Sequence, residues 1–208
     1  MKNFIFLLFL LISNFSYGGD KFSPIPRMLT EAKENWRGEY TGVIFKEDTE
    51  NYYVLTCVHP LFDRNDIDTT YAHVFTEGES DVSFVSVKCK LLKRDDMQDL
   101  CLYSFKKNNL FTVTPLELGD EVLPKNTILK NYGYTISTKL KEANVTVVEF
   151  DDQFNPGMMI TVGPVKSGYS GGPAVHEKTK KVYGIQSLGG TGGNNYLSSI
   201  SAIKKFVK

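Results

Sequence analysis

From Glu39 to the carboxy terminus the apolar residues come in short runs separated by turn formers, and that spacing limits what the chain can fold into. Residues 40–45, 52–57, 70–75, 81–92 and 100–105 read as strands rich in β-branched and aromatic side chains. Residues 46–51 and Asp63-Arg64-Asn65-Asp66 are turn material between them. Residues 106–117 have no period and contain Pro115, which reads as a connection between two halves. The second half repeats the style in residues 127–132, 144–150, 158–162, 173–176, 182–188 and 196–200. Asn155-Pro156-Gly157 and Glu177-Lys178-Thr179-Lys180 are its turns. Only residues 199–207 depart, with Ile200, Ile203, Phe206 and Val207 at helical spacing and Ser199 or Ser201 placed as a cap. Many short strands closed by one helix argue for an all-β barrel or sandwich.

The 208 residues suffice for one unit with a proper core, built as two small halves. Residues 1–18 look like a secretory signal: Lys2, nine unbroken apolar residues over 4–12, then Ser16-Tyr17-Gly18. Nine apolar residues are too few to span a bilayer. No later run is longer, so the expectation is a secreted or periplasmic protein with no stable membrane insertion. Residues 19–38 mix Pro24, Pro26 and charges and read as an amino-terminal arm or propeptide, with residues 28–36 as a short helix. Lys and Arg number 24 against 24 Asp and Glu, or 23 against 24 without Lys2. No basic cluster with interleaved aromatics appears, so a nucleic-acid partner has no electrostatic support. Lys178, Lys180 and Lys181 read as a solvated tip. The three cysteines, Cys57, Cys89 and Cys101, lie in strands as small buried residues. They lack the paired spacing of a zinc site, and no metal is assigned.

Three places carry chemistry. In Gly168-Tyr169-Ser170-Gly171-Gly172-Pro173 a serine stands among small residues. A tetrahedral intermediate needs two backbone N–H groups aimed at its oxyanion, and glycine permits the backbone this requires. Gly168 and Ser170 are the candidate donors. A serine hydroxyl also needs a base in reach, and the base needs a third group to hold its tautomer. His59 follows the apolar run of Leu55-Thr56-Cys57-Val58, at a strand end where a rigid element can hold it. His73 lies inside a strand and His176 is on the strand leaving Ser170, so His59 is the candidate base. Of Asp95, Asp96 and Asp99, only Asp99 runs at once into an apolar strand, Leu100-Cys101-Leu102-Tyr103. Asp99 is therefore the candidate for orienting the imidazole.

These segments, with Tyr183-Gly184-Ile185-Gln186-Ser187-Leu188-Gly189, resemble the trypsin-like (chymotrypsin-fold) serine proteases. The resemblance runs from about Glu39 to the end. It implies two six-stranded antiparallel β-barrels, residues 39–115 with His59 and Asp99 and residues 116–208 with Ser170, the active site between them and a short carboxy-terminal helix. It also implies protein or peptide substrates and no cofactor. On that fold Cys101 neighbours both Cys57 and Cys89, which leaves either disulfide or free thiols open. Tyr169 stands where animal members carry an aspartate, so activation by a new amino terminus is not expected, and the chain is more similar to compact bacterial members such as glutamyl endopeptidases. By the same pattern Ser167, Gln186, Ser187 and Gly189 bind substrate, Gln186 falling where glutamyl endopeptidases hold an acidic side chain. The alternative to an endopeptidase is a non-catalytic binding module on the same fold. An α/β-hydrolase orders its triad Ser, Asp, His and alternates helices with strands, which this chain does not.

Overall fold

The computed structural model describes residues 21–33, 36–62, 66–76, 83–135, 139–151, 157–189 and 193–208. The signal-like residues 1–18 and most of the turns at 63–66 and 155–157 lie outside them. The element order is β1 (Lys21–Phe22), β2 (Arg27–Ala32), β3 (Arg37–Thr41), β4 (Val43–Glu47), β5 (Asn51–Thr56), a 3-10 turn (His59–Leu61), β6 (Ile67–Phe75), β7 (Phe84–Asp95), β8 (Leu100–Lys106) and β9 (Thr112–Val113). The second half follows with β10 (Ile128–Tyr134), β11 (Leu140–Asp151), β12 (Met158–Val162), β13 (Pro173–His176), β14 (Val182–Gly189), β15 (Asn194–Ser199) and α1 (Ile200–Phe206).

The second half is a closed barrel in the order β10-β11-β12-β15-β14-β13. The first half differs in detail from the ring of six implied by the resemblance: it is a seven-stranded sheet, β3-β2-β6-β7-β8-β5-β4. Its two edges, β3 and β4, are consecutive in the chain and separated only by Gly42. One stretch of backbone thus supplies both ends of the sheet, and counting it once gives six. Gly42 is the corner because a Cβ there would stand 2.8 Å from Val54 Cγ1 and 3.1 Å from Met28 Cγ.

Residues 28–32, the described start of the expected helix, are a strand. Met28, Thr30 and Ala32 are buried while their neighbours are half-exposed, the period of two of a strand with one face in the core. β2 pairs with β3 on one side and β6 on the other. The segment from Arg27 therefore stands inside the first sheet. Ahead of it the chain bridges the halves: Ile44 N–H donates to Pro24 O, Gly42 N–H to Pro26 O, and the Tyr134 hydroxyl to Ile25 O.

Alternation along the strands fills two barrel interiors. Met28, Tyr40, Ile44, Val54, Val74 and Tyr103 pack in the first, and Leu129, Val145, Val147, Met159 and Leu197 in the second. A third cluster joins the halves, with Val43, Leu55 and Leu100 against Val182, Ile185, Ile203 and Phe206. α1 supplies the last two, and its cap is Ser199, whose hydroxyl accepts from Ala202 N–H. Apolar burial is non-directional, so this cluster presses the halves together without setting their register.

Cys57, Cys89 and Cys101 are buried free thiols and form no disulfide. Burial pushes Cys57 well above the ordinary thiol range and Cys89 and Cys101 up to about 12. The thiolate is the reactive form, so at pH 8 the folded protein should resist a thiol-exchange reagent. In guanidinium without reductant all three thiols should titrate. Fast stoichiometric reaction of the folded protein, or fewer than three thiols after denaturation, would contradict this.

Candidate active site

β5 runs out at Thr56, and Pro60 favours the 3-10 turn that follows, whose first residue is His59. Asp99 closes the β7–β8 connection. There Asp95 takes the N–H groups of Met97 and Gln98 on its Oδ1, turning the chain sharply, and Asp99 adopts φ +49° just before β8. Short side chains that bond locally tolerate this left-handed region. The turn aims the carboxylate inward, where it is buried.

A buried carboxylate costs several kcal/mol unless its lone pairs are met. Asp99 accepts four hydrogen bonds: Val58 N–H (2.7 Å) and His59 N–H (2.6 Å) on Oδ1, and His59 Nδ1–H (2.8 Å) and the Ser187 hydroxyl on Oδ2. The Nδ1 bond fixes the tautomer, which leaves Nε2 as an acceptor. Nε2 faces Ser170 Oγ at 3.0 Å. His59, Asp99 and Ser170, drawn from both halves, are thus one hydrogen-bonded chain. His73 stacks on Phe84 and His176 packs edge-on to Tyr183, so neither joins it. Asp96 pairs with Arg94.

The serine turn is built on glycines with left-handed backbone. At Gly168 (φ +95°) a Cβ would collide with Tyr134 O, and at Gly171 (φ +79°) with Thr41 O and Thr56 Oγ1. The turn is held by Gly171 N–H to Gln186 O (2.7 Å), Gly172 N–H to Tyr169 O (2.8 Å) and Tyr169 N–H to Lys166 O (3.2 Å). Among the described residues nothing accepts the N–H of Gly168 or of Ser170. Those two donors lie on the turn that carries Ser170, and an oxyanion needs such a pair. Thr41 also grips the turn, a contact the sequence reading missed; its one signal is a hydroxyl beside the corner glycine of a strand.

Residues 40–185 match the family model of the trypsin-like peptidase domain. The chain belongs to the trypsin-like peptidase family. Its fold is similar to active-form Rv3671c protease from M. tuberculosis, with a TM-score of 0.68, 14% identity and coverage of 88% of this chain and 79% of that chain. Deg5 gives a TM-score of 0.68 at 13% identity over 88% and 86% of the two chains. The MamO protease domain from Magnetospirillum magneticum gives 0.68 at 15% over 89% and 96%. No curated protein matches the sequence.

Within this trypsin-like site the four substrate-binding candidates divide. Ser167 and Gly189 are exposed. Ser187 is buried with its hydroxyl on Asp99, so its side chain serves the carboxylate rather than a substrate. Gln186 is not a free donor for an acidic side chain. It is buried in the second barrel, its Oε1 accepts from Asn131 Nδ2 (2.5 Å), and its Nε2 donates to Leu188 O (3.1 Å) and Tyr196 O (3.4 Å). A side-chain amide buried this deeply needs hydrogen-bond partners, and here the protein supplies them. Cys57, His59 and Asp99 bring ligand-type atoms within 4.8 Å of one another. The Asp99 oxygens are already filled by four donors and burial keeps the Cys57 thiol protonated, so the set is fitted to a proton chain rather than to a metal.

Gln186→Leu should cost about 1–3 kcal/mol, because Asn131 Nδ2 and Leu188 O lose their partner. A lower denaturant midpoint with unchanged ranking of peptides by the residue before the cleaved bond is expected. Selective loss of peptides with an acidic residue there would contradict the buried role.

Proposed function

We propose that the chain is a secreted serine endopeptidase acting through an acyl-enzyme on Ser170, with a His59–Asp99–Ser170 triad. The observation that carries this reading is the bond from Ser170 Oγ to His59 Nε2, with Asp99 on the other ring nitrogen. Secretion or export to a periplasm rests on the signal-like residues 1–18, and no helix among the described residues is long and apolar enough to cross a membrane.

A peptide, rather than a small ester, suits the edge of β14. Its ladder with β13 ends at Ile185, opposite Pro173, and Gln186 exchanges its backbone bonds with Gly171 and Gly172. Beyond that point the side of β14 away from β15 has no strand partner among the described residues. An extended substrate can add there as a strand along residues 187–189, beside exposed Leu188. Its scissile carbonyl then lies at Ser170, with Ser167 at the rim.

The chemistry follows from the geometry. Ser170 Oγ attacks the carbonyl carbon as its proton passes to His59 Nε2, and the new oxyanion takes the N–H groups of Gly168 and Ser170. The imidazolium is stabilised by Asp99. It returns the proton to the leaving amine as the C–N bond breaks. Water then repeats the sequence on the acyl-enzyme and releases the carboxylate. Only a neutral imidazole can accept the first proton.

Ser170→Ala should lower peptide hydrolysis about 10⁶-fold and leave the melting temperature unchanged. Hydrolysis by the variant equal to that of the parent would contradict the assignment, and so would a folded parent that cleaves no member of a diverse peptide library.

A further inference from the structure

His59 and Ser170 belong to different halves, and the apolar cluster between the halves is not directional. Among the directional bonds across the junction, three meet at Thr41. Its N–H donates to Ser170 O (2.8 Å), and its hydroxyl donates to Gly168 O (2.7 Å) and accepts from Tyr134 N–H (2.9 Å). On the other side Thr41 O accepts the hydroxyl of Thr56 (2.6 Å), the last residue of β5 before the His59 turn. Thr41 is fully buried, and its hydroxyl has used its proton and a lone pair. A β-branched side chain fixed in this way has little rotamer freedom.

Taking Ser170 as the nucleophile, as proposed above, we infer that Thr41 is the positioning residue that sets the oxyanion donors and registers the nucleophile against His59. Gly168 is the most mobile kind of residue at the point where mobility does most harm. With φ +95° and no side chain, its peptide planes could rotate and swing the N–H groups of Gly168 and Ser170 apart. The Thr41 hydroxyl pins the Gly168 carbonyl, and the Thr41 N–H pins the Ser170 carbonyl two residues on. The Thr56 bond carries that constraint to the strand that presents His59. The oxyanion is absent from the bound substrate and forms only as the carbonyl is attacked, so loss of the clamp should appear in kcat rather than KM.

The test compares the parent with Thr41→Val and Thr41→Ser on one peptide substrate, well below the melting temperature. Thr41→Val keeps the shape and removes the hydroxyl. It should lower kcat about 10- to 100-fold with KM within about twofold, while Thr41→Ser recovers most of kcat. If Thr41→Val does not fold, Thr56→Val decides: it cuts only the link to β5 and should lower kcat in the same direction by a smaller factor. Parental kcat in folded Thr41→Val, a serine variant as impaired as the valine one, or parental kcat in Thr56→Val when that variant is the deciding one, would overturn the inference. A parent without hydrolytic activity would overturn it together with the reading of the site. An active parent matched by Thr41→Val would overturn the positioning role alone.

Discussion

The proposed chemistry depends on one contact between the halves: the 3.0 Å bond between His59 Nε2 and Ser170 Oγ. Each partner is fixed within its own half, His59 by a carboxylate with four donors and Ser170 by a glycine turn. Neither half can set the distance between them. Displacement of a reacting group by about 1 Å can cost about 100-fold in rate, so the alignment of the halves is as much a part of the site as its side chains. Apolar burial at Val43, Leu55, Ile185, Ile203 and Phe206 holds the halves together. The bonds of Thr41 and the chain crossing at Pro24, Ile25 and Pro26 give them register.

The same economy appears at Asp99. Its carboxylate is buried where an unmet charge would be very costly, and two of its four donors are the backbone N–H groups of Val58 and His59. One group therefore orients the imidazole and anchors the backbone that carries it. Ser187, on β14 of the second half, supplies the fourth bond and so reaches back across the cleft.

Much of this was legible in the chain. Strand positions followed from runs whose period and bounding turns are local properties, and Ser199 was readable as a cap because capping needs only its neighbours. The meeting of His59, Asp99 and Ser170 in one hydrogen-bonded chain was legible because each sits beside a strand or glycine turn whose reason is visible in a few adjacent residues. Residues 28–36 were misread as a helix because Met28, Thr30 and Ala32 show their period of two only once β3 and β6 cover both edges of β2. Gln186 was assigned to the substrate by its place in a motif, and only the barrel interior shows its amide bound to Asn131 and Leu188. Thr41 gave no more than a hydroxyl beside a corner glycine, since its partners lie 127 and 93 residues away.

The central claim is that Ser170 is an activated nucleophile in an assembled site. The direct test is labelling of the purified protein with a fluorophosphonate, with the adduct located by mass spectrometry and His59→Ala as the comparison. A single adduct on Ser170 that disappears in His59→Ala is the expected result. Folded protein that takes up no probe, or an adduct on Ser170 that survives loss of His59, would contradict it.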